Sequence, residues 1–95
     1  MADQDSEEFY SRLKEQLTDS TTWPSDYLYK FIVLSNKEKI ERIHTIFDNT
    51  GAVIQLKKSK NGKYTSVSIM VNLSGPDEVI AKYKEVGAIE GVISL

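Results

Sequence analysis

The chain has 95 residues, one histidine, no cysteine and a net charge of −2, which leaves room for one core and excludes thiolate chemistry, disulfides and a histidine-based metal cluster. A hydrophobic fraction of 40% and a charged fraction of 27% are those of an ordinary globular domain, no apolar run approaches the ~20 residues that span a bilayer, and the negative balance runs against the basic footprint of a nucleic-acid binder. The acidic start, Met1-Ala2-Asp3-Gln4-Asp5, lacks the basic-then-apolar pattern of a secretory leader, so the expected localisation is cytoplasmic.

Residues 1–5 are expected to be disordered, with Asp5 capping a helix whose third position is Glu8. At about 100° per residue, Phe9, Tyr10, Leu13 and Leu17 share one helix face. That stripe needs a surface to cover, and an open sheet face supplied by the domain or by a second subunit is the expected one. Residues 18–22, Thr-Asp-Ser-Thr-Thr, form a polar linker. The chain therefore divides into an acidic segment, 1–22, and a compact domain, 23–95.

Trp23-Pro24 suits a strand entrance, where proline removes a ladder donor only at the edge. The apolar run 27–34 is broken by Lys30 and fits a central strand, with Tyr27, Tyr29, Phe31 and Val33 on one side and Leu28, Lys30 and Ile32 on the other. Ser35-Asn36-Lys37-Glu38 matches a capping box with Ser35 as the cap. It launches a helix with Ile40, Ile43, His44 and Phe47 on its buried stripe, and Asn49-Thr50-Gly51 stops it. Ile46 falls off the stripe and is a candidate contact residue.

Residues 52–59 and 63–73 read as a hairpin, with Ile54 and Leu56 inward on the first arm. Asn61-Gly62 predicts a two-residue type I′ turn, because Asn tolerates and Gly freely adopts positive φ. In the second arm Thr65, Val67, Ile69, Val71 and Leu73 alternate with Tyr64, Ser66, Ser68, Met70 and Asn72, which sets the register. Gly75-Pro76-Asp77-Glu78 starts a helix with Val79, Ile80, Tyr83 and Val86 buried and Gly87 as its stop. Residues 89–95 form a last strand. The order is a helix followed by β-α-β-β-α-β. Right-handed crossovers then predict an α+β ferredoxin-like sandwich, with strands in the order 4-1-3-2 and the two later helices on one face.

From Trp23 onward the chain resembles the YbeD-like family of small bacterial proteins. The resemblance rests on Trp23-Pro24, Tyr29-Lys30-Phe31, the string from Ser59 to Ile69, Pro76-Asp77-Glu78-Val79 and Glu90-Gly91-Val92. It implies a ferredoxin-like fold similar to ACT regulatory domains, which sense small ligands at subunit interfaces, and it carries no catalytic residue. Ligand-binding ACT domains place a glycine between the first strand and helix. Here that loop is Leu34-Ser35-Asn36, without one.

His44 stands beside no nucleophile motif and has a structural role. The carboxylates occupy helix first turns or solvated faces, and no phosphate loop, dinucleotide fingerprint or nucleophile elbow occurs. The chain is therefore expected not to be an enzyme and to need no cofactor or metal. Lys57, Lys60 and Lys63 crowd the hairpin tip, where they either contact an anion or guard an edge strand. Lys30, Ser66 and Ser68 join Lys57 on the outward face as candidate ligand or anion contacts. Leu28, Ile32, Ile46 and Met70 make a candidate interaction surface. The leading expectation is a regulatory or protein-interaction module that docks a protein or self-associates, with a small ligand as an additional partner. The alternative is a nucleic-acid-binding module using the basic hairpin, with Tyr64 as a lone stacking ring.

Overall fold

The computed structural model describes residues 2–95, with side chains from residue 7 onward. Helix α1 (Ala2–Ser20) is followed by β1 (Ser25–Leu34), α2 (Lys37–Ile46), β2 (Val53–Lys58), β3 (Tyr64–Leu73), α3 (Pro76–Gly87) and β4 (Ile93–Ser94). The strands form one antiparallel sheet in the order β2-β3-β1-β4, the spatial order expected from the sequence. The fold is thus mixed α+β, with three helices and a four-stranded sheet.

Alternation in β1 and β3 builds the core. Tyr29, Phe31 and Val33 face Thr65, Val67 and Ile69 across the ladder, and all are buried. Ile43 and Phe47 pack on them from the α2 side, with Val79 and Val86 from α3. Tyr83, expected to be buried, is half-buried, and its hydroxyl shares a 2.8 Å hydrogen bond with that of Tyr27. The Tyr29 hydroxyl donates to the Val79 carbonyl at 2.9 Å, tying β1 to α3. Burial, followed by the neighbouring tyrosines Tyr83 and Tyr27, raises the Tyr29 phenol well above its ordinary value. Burial and then the Tyr27 hydrogen bond raise Tyr83.

Several local expectations change. The first helix begins at Ala2, so residues 2–5 are helical; Met1 and the Asp5 capping side chain lie outside what the structure describes. The cap of α2 is Asn36, whose Oδ1 accepts from the Lys39 amide at 3.0 Å. Ser35 instead shares a 2.8 Å hydrogen bond with Thr65, which satisfies the one buried polar side chain of the core. The hairpin is not closed by a two-residue type I′ turn. Gly62 has φ 74° while Asn61 stays on the negative side, the Gly62 amide donates to the Ser59 carbonyl, and Asn61 Oδ1 accepts from the Lys63 amide. The backbone turn runs from Ser59 to Gly62, and the Asn61 side chain supplements it by holding the Lys63 amide.

Leu56 shares the inward face but is 48% exposed, on β2 at the edge of the sheet. Gly87 is still helical and Ala88 caps α3. The chain then turns through Gly91 at φ 84°, so the last strand shrinks from the expected 89–95 to Ile93–Ser94. Ile89 is buried in that turn.

The largest change concerns α1. It packs against α3, on the helix side of the sheet, and leaves the other face bare. Leu17 is buried there and Leu13 half-buried, while Phe9 remains 59% exposed. Lys14 pairs with Asp77 at 2.8 Å and Lys84 with Glu7 at 3.1 Å. The short linker ends in a cis Trp23-Pro24 peptide, and the Trp23 indole N–H donates to the Leu17 carbonyl.

Candidate functional site

The bare sheet face is organised in rows by the strand register. Leu28, Met70 and Val53 stand side by side across β1, β3 and β2. The next row is Lys30, Ser68 and Gln55, and the one after it Ile93, Ile32, Ser66 and Lys57. Leu34 and Tyr64 close the face at one end, with Asp26 and Asn72 at the other. Leu28, Val53, Met70 and Ile93 are exposed, between 41% and 61%. An apolar row directly opposite across three strands forms a continuous ridge.

Residues from three strands thus converge. Lys30, Gln55, Lys57, Ser66 and Ser68 line a depression of about 670 Å³ whose floor is the β3 backbone, with Leu95 at its rim. Lys30 and Lys57 lie two strands and one row apart, roughly 12 Å between their Cα atoms, with the two serines between them. Among the described residues neither lysine has a carboxylate within 4 Å. The acid of this face, Asp26, lies at its far end and accepts from Asn72 Nδ2 at 3.0 Å.

Of the contact candidates read from the sequence, Lys30, Lys57, Ser66 and Ser68 come together, while Lys60 and Lys63 sit in the loop beyond Lys58. Lys63 stands 5.5 Å above the Tyr64 ring, and no second ring shares the open face. Leu28, Ile32 and Met70 lie on the face. Ile46 does not: it is half-buried against the core where α2 meets α3, and its carbonyl accepts from Lys82 Nζ. Ile93 and Gln55 were missed as site members. The outward direction of Gln55 was legible, but Ile93 could be placed only once the short last strand paired with Ile32.

The loop between β1 and α2 has little left to offer a ligand, since Ser35 and Asn36 are engaged with Thr65 and Lys39. No group of three metal-ligating side chains occurs among the described residues, and no described helix is long and apolar enough to cross a membrane.

A family model described as "Protein of unknown function (DUF493)" matches residues 18–95. A UPF0250 protein of Edwardsiella ictaluri is 31% identical over 84 residues, covering 82% of this chain and 93% of the relative. One from Cronobacter sakazakii is 30% identical over 84 residues with the same coverages. Both agree with the YbeD-like resemblance of the compact domain. The solution structure of protein HP0495 from H. pylori superposes with a TM-score of 0.64 at 18% identity, covering 80% of this chain and 86% of that one. At that identity the likeness is one of fold. Most of α1 precedes the matched segment.

Proposed function

This chain belongs to the DUF493 family of proteins of unknown function, and from that premise we propose that it is a cytoplasmic, non-enzymatic regulatory module that docks a protein partner on its open sheet face. The ferredoxin-like, ACT-like architecture is part of the same proposal. It is supported by the antiparallel order β2-β3-β1-β4 and by the placement of α2 and α3 against one side of the sheet.

One observation carries the proposal. The Leu28–Met70–Val53 row stays exposed because the available amphipathic helix, α1, is spent on α3. The occupant that fits is another protein's apolar ridge flanked by carboxylates. A second copy fits poorly, because face-to-face packing places Lys30 and Lys57 of both copies in one layer with Asp26 as the acid of that face. The basic-hairpin alternative has less support, since Tyr64 lacks a second stacking ring beside it.

Site-resolved photocrosslinking in cells tests this. A crosslinking side chain at Met70 should yield a discrete protein adduct that resists nuclease and disappears on Leu28→Asp, while one at Glu41 on α2 should not. Adducts of doubled mass would identify self-association, and nuclease-sensitive adducts would identify nucleic acid; either overturns the proposal.

A further inference from the structure

We propose that the polar patch made by Lys30, Ser68 and Gln55 together with Ser66 and Lys57 of the next row is a binding site for phosphate, free or as the headgroup of a small phosphate monoester. The inference rests on the open face being the working face and names a ligand class for it. Lys30 carries the argument. Lysines on an edge strand protect the edge from pairing, which accounts for Lys57 on β2. Lys30 lies on β1, paired with β3 on one side, while on the other the Leu95 amide, next to the short β4, donates to its carbonyl, so edge protection accounts for it less well than for Lys57. Its neighbours on the face are Leu28 and Ile32 along the strand and Ser68 across it. Lys30 is solvent-exposed and has no carboxylate within 4 Å among the described residues, so its ammonium is available to an anion.

The surrounding groups select the anion. Two ammonium groups, two hydroxyls and the Gln55 amide are donors, and they approach from both sides of a floor set by Ser66 and Ser68. A tetrahedral phosphate presents enough oxygens to meet donors spread in this way, whereas a planar carboxylate presents two. Lysine serves phosphate as a point charge with adjustable direction. No Asp or Glu side chain lines the depression among the described residues, and the Leu95 backbone, whose amide donates to the Lys30 carbonyl, stands at its rim. The Leu28–Met70 row borders the patch and offers apolar contact to the body of an ester.

Amide chemical shifts of the full chain, followed by NMR during titration with inorganic phosphate and with glycerol 3-phosphate at constant ionic strength, decide the matter. Saturable shifts should centre on Lys30, Lys57, Ser66 and Ser68. Lys30→Gln, and separately Lys57→Gln, should each weaken binding about tenfold or more, the loss of one charge-assisted contact. Lys60→Gln should change nothing. Tighter binding of the ester with added shifts at Leu28 and Met70 would identify the headgroup as the source; equal affinity would identify the free ion. Shifts centred on residues 58–63, shifts that follow ionic strength alone, or full affinity in both variants would overturn the site. The partner proposal survives those outcomes because it stands on the Leu28–Met70–Val53 row, and phosphate binding without any Met70 adduct would remove the partner and keep the site.

Discussion

The two faces of the same sheet make opposite use of the same strands. In β3 every second residue from Thr65 to Leu73 is buried at 5% exposure or less, while Tyr64, Ser66, Met70 and Asn72 between them are exposed. Backbone and register are common to both sets, so the difference lies in what covers them. Three helices stand on one side and none of the described residues on the other. Stability is therefore concentrated in one set of side chains, and the other set is free to be chosen for recognition.

Substitutions at alternating positions should expose that division. Phe31→Ala, on the covered face, should cost about 3–5 kcal/mol in denaturant unfolding, from lost burial and an incompletely collapsed cavity. A loss under 1 kcal/mol would show that the two faces are less distinct than they look. Deleting residues 1–18 removes Leu13 and Leu17 from the α3 side and should cost about 2–4 kcal/mol with the core still folded. If crosslinking at Met70 changed as well, α1 would have to act on both faces.

Tyr29→Phe should cost about 1 kcal/mol by removing the hydrogen bond that ties β1 to α3, while the Val79 carbonyl keeps its place in the helix ladder. The raised phenols add a pH signature. Below about 10, the ordinary tyrosine value, both folded and unfolded chains hold these protons. Above it the unfolded chain ionises while folded Tyr29 and Tyr83 do not, so stability should fall as pH rises past that value. Spectrophotometric titration together with melting curves would show it, and Tyr29→Phe should make the decline shallower. Glu78 works at the acid end. Its carboxylate accepts from the Ser74 hydroxyl and amide, which lowers its pKa, so its contribution is present above the ordinary carboxylate range and is lost as pH falls through the lowered value. Ser66→Ala, on the open face, should change stability by less than about 0.5 kcal/mol.

The covered face was legible because burial imposes period-two alternation, which β3 carries with Met70 as its departure and which continues into β1, where Lys30 breaks an otherwise apolar run and marks the outward side. The same pattern placed Lys30, Ser66 and Ser68 outward, but could not bring them beside Lys57, since that requires the pairing of three strands. The errors have local causes. Ser35 and Asn36 are both good caps, and the choice between them followed from Thr65, thirty residues away, needing a hydroxyl partner. Asn61-Gly62 signals a turn whatever its backbone type. Ile46 looked free because a helix stripe predicts contact with a sheet and ignores the second helix beside it. The amphipathic face of α1 likewise showed that the helix needs a surface and was silent about which one.

The hydrogen bond from Trp23 to the Leu17 carbonyl gives the chain its own optical readout. Trp23 is the single tryptophan, half-buried at the joint between α1 and the sheet, with its indole N–H donated to α1 at 3.1 Å. Its fluorescence should move to longer wavelength when α1 lifts from α3 and water reaches the ring. The near-ultraviolet dichroism of Tyr27, Tyr29 and Tyr83, packed edge to face, reports on the interior instead. Two spectra recorded on one unlabelled sample thereby separate helix release from global unfolding.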